Sequence, residues 1–214
     1  MEDNNPDPEL LIFPKGVRFP RAEDLPSESH DFLSRVVDAR ITTGYIATNA
    51  ADQPYSAYIE ANVHAPDVFT VFTSLAFGLM PDIAAPLIGI KEEEPIFGPY
   101  TDRAWAVGVF GPYIDILQND GFLEFGILHQ SEFAFEEIFV ASSKYFKIWT
   151  SNGQLAETIL RSNNIPRCET LQFIDEYPMV SESIGPDGSA AWCDPYYSLQ
   201  EEFNRLPPPN VQEA

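Results

Sequence analysis

Between Tyr55 and Met80 the hydrophobic pattern changes period, and that change constrains the fold more than any other feature of the chain. In YSAYIEANV, Ala57, Ile59, Ala61 and Val63 alternate with Tyr58, Glu60 and Asn62, the two-residue period of a strand with one buried face. Directly after it, PDVFTVFTSLAFGLM sets Val68, Phe69, Val71, Phe72, Leu75, Ala76 and Leu79 at helical spacing, with Pro66 suited to a first helical position. A broad apolar helix next to a one-sided strand must pack helix on sheet.

The other segments extend that plan. ITTGYIAT and YSAYIEANV, separated by NAADQP, predict a hairpin, and APLIGI predicts a central strand. FLEFGIL, two runs flanking Ser142 and Ser143 in EIFVASSKYFKIWT, and TLQFIDEY predict further strands. Helices are expected in HDFLSRVVDARI behind caps Ser27 or Ser29, and in DRAWAVGVFGPYIDILQN behind Thr101, with Pro112 as a break and Gly121 as its end. Another is expected in SNGQLAETILRSNN behind Ser151 or Asn152. The expectation is one α+β domain with a mixed or antiparallel sheet and helices packed on it. Its core spans 27–178, between an extended acidic arm over 1–26, where Leu10 to Phe13 tack the chain down, and a C-terminal appendage over 179–214. The appendage offers a short helix from Asp194 and Pro195 and a proline-rich tail.

Charge narrows function. Of 214 residues, 33 are Asp or Glu and 12 are Lys or Arg, a net of -21 that no folding requirement explains. Such a chain lacks the basic face that nucleic acid needs, so the complementary partner is a basic protein. No window reaches the ~18 apolar residues of a membrane span, and the acidic start MEDNNPDPELL is unlike a secretory signal, which predicts a cytoplasmic protein. Cys168 and Cys193 have neither zinc nor redox spacing and read as reduced thiols.

Signatures of catalysis are missing. Ser142 and Ser143 lack a nucleophile elbow, no glycine-rich phosphate loop is present, and His129 beside Glu132 reads as a surface or core pair. Glu92, Glu93 and Glu94 lack the loop pattern of a calcium site; at a strand end Glu92 and Glu94 share a face while Glu93 looks away. No metal, no cofactor and no enzymatic activity are expected.

What remains is an uneven distribution of acids. Ala104 to Ser143 holds Asp115, Asp120, Glu124, Glu132, Glu136 and Glu137 without one Lys or Arg. With Glu92 to Glu94, Asp102, Asp175 and Glu176, these acids are expected near element ends, where loops supply a contact surface. Among the interleaved aromatics Phe97, Tyr100, Trp105, Phe133, Phe135 and Tyr177, core positions are expected for most; Tyr100 and Tyr177, each beside a proline, are the expected exposed pair. The candidate partner-binding residues are therefore Glu92, Glu93, Glu94, Tyr100, Asp102, Glu136, Glu137, Asp175, Glu176 and Tyr177.

With KEEEP, FAFEE and FIDEYP at loop positions, a small acidic chain of this class resembles bacterial immunity proteins that neutralise toxins. The resemblance implies one-to-one binding to a toxin domain, acidic side chains meeting its basic surface. Two alternatives stay open. A DNA-mimic inhibitor needs an elongated acidic face, and an enzyme with an unfamiliar site needs a concave pocket holding His129 or His64 with a carboxylate.

Overall fold

The two periods at residues 55–80 become the two layers of the protein. The computed structural model describes residues 9–26, 31–51, 53–132, 134–184 and 193–209; Ser27, Ser29, His30 and Phe133 lie outside the described residues. In chain order the strands are β1 (Val17–Arg18), β2 (Gly44–Asn49), β3 (Ala57–Asn62), β4 (Ile83–Ile90), β5 (Ile96–Phe97), β6 (Thr101–Asp102), β7 (Leu123–Gln130), β8 (Phe135–Val140), β9 (Tyr145–Thr150) and β10 (Val180–Ser181). The helices are α1 (Asp31–Ser34), α2 (Val68–Leu79), α3 (Arg103–Gly108), α4 (Ile114–Asn119), α5 (Gly153–Ser162) and α6 (Cys193–Phe203).

β2, β3, β9, β8, β7, β4 and β5 lie side by side in that order, β6 also pairs with β4, and every pairing is antiparallel. The expected hairpin is β2–β3, and the two runs around Ser142 and Ser143 are β8 and β9. On the inner face Ile59, Ile88, Phe125, Ile138 and Ile148 form one core with Phe72 of α2, Val107 of α3, Leu117 of α4, Leu160 of α5 and Leu199 of α6. The architecture is thus a single α+β domain in which an antiparallel sheet carries its helices on one face.

Several local expectations need correction. The helix expected in HDFLSRVVDARI is confined to α1, because Val37 is 77% exposed and the segment finds no apolar face to pack. TLQFIDEY is not a strand: Ile174–Glu176 forms a 3-10 turn, closed by the Glu176 N–H on Phe173 O and the Tyr177 N–H on Ile174 O, so its backbone bonds are local rather than to a neighbouring strand. Thr101 caps no helix; its hydroxyl donates to the carbonyl of Pro207 at 2.6 Å, and Thr101 itself belongs to β6. Pro112 does break the long helix, into α3 and α4, and Asn152 caps α5 by accepting the Leu155 N–H at 3.2 Å.

The described parts of both chain ends are fastened to this domain. The Leu11 N–H donates to Ile41 O and the Thr43 N–H to Glu9 O, while Leu10 and Ile12 keep their side chains exposed, so backbone bonds tie this arm. Val17 is buried, and Arg18 forks onto both Asp24 (2.6 and 2.9 Å) and Glu182 (2.7 and 3.2 Å), clasping β1 to β10. At the far end α6 buries Tyr196, Leu199 and Phe203 in the main core.

Candidate functional site

Helices cover one face of the sheet, so the residues that alternate with the core line the other. Strand register lays them out in rows. Thr48, Tyr58, Trp149, Glu137 and Leu128 lie directly across from one another on β2, β3, β9, β8 and β7, and the next row runs Ile46, Glu60, Lys147, Phe139 and Gly126. A third row sets Asn62 opposite Tyr145. Here a separate small cluster of Ala141, Tyr145 and Phe173, flanked by Ile46, Phe139 and Leu171, forms where the segment after α5 crosses the sheet. The Asn62 amide fastens that crossing by donating to Gln172 O at 2.9 Å.

Beyond the crossing the face is aromatic and acidic. The rings of Tyr58 and Trp149 lie 5.0 Å apart, both half-buried, and Lys147 stands opposite Glu60 and beside Tyr145. Burial and then the Glu60 carboxylate push the Tyr58 phenol above its ordinary range. Burial and then Asp175 do the same for Tyr145, so three carboxylate positions, Glu60, Asp175 and Glu137, ring the aromatic strip. Burial also raises the Glu137 carboxyl, the mark of an acid held partly out of water on a surface that carries Lys147 as its base.

The expected site residues divide between two places. Glu137, Asp175 and Glu176 belong to or border this face, Asp175 and Glu176 exposed on the 3-10 turn. Tyr177 is half-buried with its ring edge-on to Phe19, 6.1 Å away. Glu92, Glu93 and Glu94 are exposed after β4, in a turn closed by the Glu93 N–H on Ile90 O, with Glu92 in the left-handed region (φ 69°), so strand alternation does not govern them. The Tyr100 hydroxyl accepts the Gln130 N–H at 2.9 Å, which pins that ring to the end of β7, and Asp102 is half-buried in β6.

Glu136 is a correction. It is 4% exposed on the inner face, where it accepts the N–H and hydroxyl of Ser151, because period two turns it away from Glu137. Asp120 is likewise buried, accepting the N–H of Phe122 and of Ile184 and the hydroxyl of Ser183. Phe97 and Trp105, expected in the core, are 51% and 56% exposed. Tyr58, Glu60, Lys147 and Trp149 were not singled out by sequence, although Tyr58 and Glu60 already stood on the polar side of the alternating strand.

The enzymatic alternative called for a pocket with a histidine and a carboxylate, and a cavity of about 440 Å³ holds His64 with Glu9 and Asp67. There the Ile12 N–H donates to His64 Nδ1 at 3.0 Å, so the neutral ring carries its proton on Nε2 and offers a donor rather than a base. His129 is committed through Nδ1 to Ile83 O at 2.8 Å. Among the described residues no three of His, Cys, Asp and Glu converge as a metal site, and no helix is long and apolar enough to cross a membrane. Compared with models of known protein families, with curated proteins and with solved structures, the chain matches none.

Proposed function

We propose that the chain is an acidic protein-binding module of the immunity-protein kind, a non-enzymatic cytoplasmic inhibitor that binds a toxin domain through that domain's basic surface. The observation that carries this reading is the face, covered by no described α-helix, on which Tyr58 and Trp149 pack together, bordered by Glu60, Glu137 and Asp175. Aromatic anchors bring contact area at low entropic cost, and desolvated carboxylates regain partners when arginines or lysines arrive. The exposed turn Glu92 to Glu94 adds long-range attraction that steers encounter.

The test is a toxin domain encoded beside this chain's gene. Co-expression should restore growth, and the purified pair should form a one-to-one complex whose association slows as salt is raised past the ~8 Å screening length of physiological buffer. Replacing Glu92, Glu93 and Glu94 with glutamine should slow association alone. A complex insensitive to salt, or no protection by this chain, would overturn the reading.

A further inference from the structure

The outer edge of β2 is covered residue by residue and then left open. Register sets Tyr45 opposite Ala61, yet the Tyr45 N–H donates outward to Pro166 O and its carbonyl accepts the Cys168 N–H. Antiparallel bonding alternates, so the odd-numbered residues of this strand turn their backbone groups away from β3. Upstream, the arm serves the same row: the Leu11 N–H donates to Ile41 O and the Thr43 N–H to Glu9 O. Ala47 and Asn49 come next in the row. Their backbone groups point the same way, and among the described residues nothing bonds to them on that side. The covering chain runs parallel to β2 at Arg167, then crosses the outer face toward Gln172 and leaves this half of the edge bare.

Exposed strand edges are ordinarily guarded by a charge, a proline or a bulge. β2, GYIATN, carries no charge and no proline, and its register with β3 runs one to one without a bulge. Thr48 and Asn49 at its free end are exposed. An N–H and a C=O repeating at every second residue are the complement of an extended backbone.

The two sides of the edge decide which side chains that backbone carries. On the helix side, Arg161 and Arg167 both pair with Glu157, at 3.4 and 3.2 Å, and Tyr45 donates its hydroxyl to the same carboxylate, so the acid there is already neutralised. On the other side, Ile46 and Thr48 begin the rows that continue into Glu60 and into Tyr58 and Trp149. An added strand lies one spacing of about 4.8 Å beyond β2, so a lysine or arginine there runs its stem over Ile46 and extends its head toward Glu60. A second copy of this chain is a poor occupant, because each copy carries a net charge of -21.

We propose that the free half of the β2 edge, at Ala47 and Asn49, takes an added strand from a partner protein, an extended segment with lysine or arginine at alternate positions on the Tyr58 face. The cationic character rests on the function proposed above; the strand geometry does not.

The probe is a short blocked peptide in which lysine alternates with valine, titrated into the full chain and followed by amide hydrogen exchange. In the free chain the Ala47 and Asn49 amides should exchange at least tenfold faster than that of Tyr45, and saturating peptide should slow both at least tenfold. Methylating the lysine nitrogens of the peptide backbone, or instead the valine nitrogens, leaves the charge alike, but only one set faces β2. One pattern should therefore weaken binding at least tenfold and the other should not. Replacing the lysines of the peptide with glutamine should also weaken binding at least tenfold. Ala47→Pro gives up no bond to β3, removes the docking N–H and should weaken the peptide by the same factor; should that variant fail to fold, the two methylated peptides decide. Equal affinity of those two peptides, undiminished affinity of the glutamine peptide, or no slowing at Ala47 and Asn49 overturns the proposal. So does a dimer of the parent chain in sedimentation that Ala47→Pro dissolves, which would give the edge to a second copy. A toxin domain neutralised equally by the parent chain and by Ala47→Pro overturns this inference and leaves the proposed function standing; strand docking of the peptide with no protection against a toxin does the reverse.

Discussion

The ring of Tyr58 packs 5.0 Å from that of Trp149, across the β3–β9 pairing and on the side of the sheet that no described α-helix covers. Antiparallel sheets often leave one face to water, but that face is then usually polar, and a paired tyrosine and tryptophan there is apolar area without an internal use. Trp149→Ala should therefore accelerate dissociation of the bound partner by tenfold or more, about 1.4 kcal/mol. Loss of fold stability should be small by comparison, since the ring is only half-buried. Surface plasmon resonance beside a thermal melt checks both, and unchanged dissociation would remove the pair from the interface.

Glu137 gives a prediction of opposite sign for folding and binding. Burial raises its carboxyl, so between its unfolded and folded values the folded state holds more protons, and stability falls as pH rises through that window. Glu137→Gln should remove that fall and raise Tm at neutral pH, while weakening the complex with a basic partner. A functional surface held at a cost to stability behaves this way. Parallel melts at pH 4 and pH 7 and a binding titration read the two effects; equal loss in both would mark Glu137 as merely structural.

How much of this was legible in the sequence depends on the range of the interactions involved. The alternation Ala57, Ile59, Ala61 and the helical spacing of α2 are local patterns, and the structure follows them. Register is non-local: nothing near Tyr58 says that Trp149 stands opposite, because 90 residues of intervening chain must fold first. Glu136 and Glu137 look alike in sequence, and only the side that β8 turns to the helices separates the buried carboxylate from the exposed-face one. The clasp of β1 was not legible, since Arg18 finds Glu182 at a separation of 164 residues.

That clasp depends on two glycines. Gly16 and Gly121 approach so closely that a Cβ on Gly121 would sit 2.1 Å from Gly16 O, and the Glu182 N–H donates to that same oxygen at 2.8 Å. Backbone on both sides leaves nothing flexible to yield. Gly121→Ala should then cost roughly 1–3 kcal/mol, the range for overpacking, and should expose the arm to protease ahead of the sheet. Gly108→Ala is the control, because a Cβ there meets nothing within 4 Å. Equal stability of the two variants would show that the β1–β10 junction shifts freely.

Lys144 sets the last expectation. It closes the turn between β8 and β9 in the left-handed conformation (φ 65°), is 2% exposed, and donates its ammonium to the carbonyl of Leu123, with Asp120 and Glu124 as the nearby negative charges. Burial dominates those carboxylates and pulls its pKa from 10.5 down to about 7. Between those two values the unfolded chain holds the proton and the folded chain does not, so stability rises as pH climbs from about 7 toward 10.5. Below about 7 both states are charged and the cost of burying the ammonium is present in full, on the order of a few kcal/mol at ~1.4 kcal/mol per pKa unit. Wild-type denaturant midpoints should thus increase from pH 7 to pH 9.5. Lys144→Met keeps the length of the side chain, removes the titrating group, and should flatten that slope whatever it does to absolute stability. A variant whose midpoints rise as steeply as those of the parent would place the titration elsewhere, and Lys144 would then be held as an ammonium by Asp120 and Glu124 throughout.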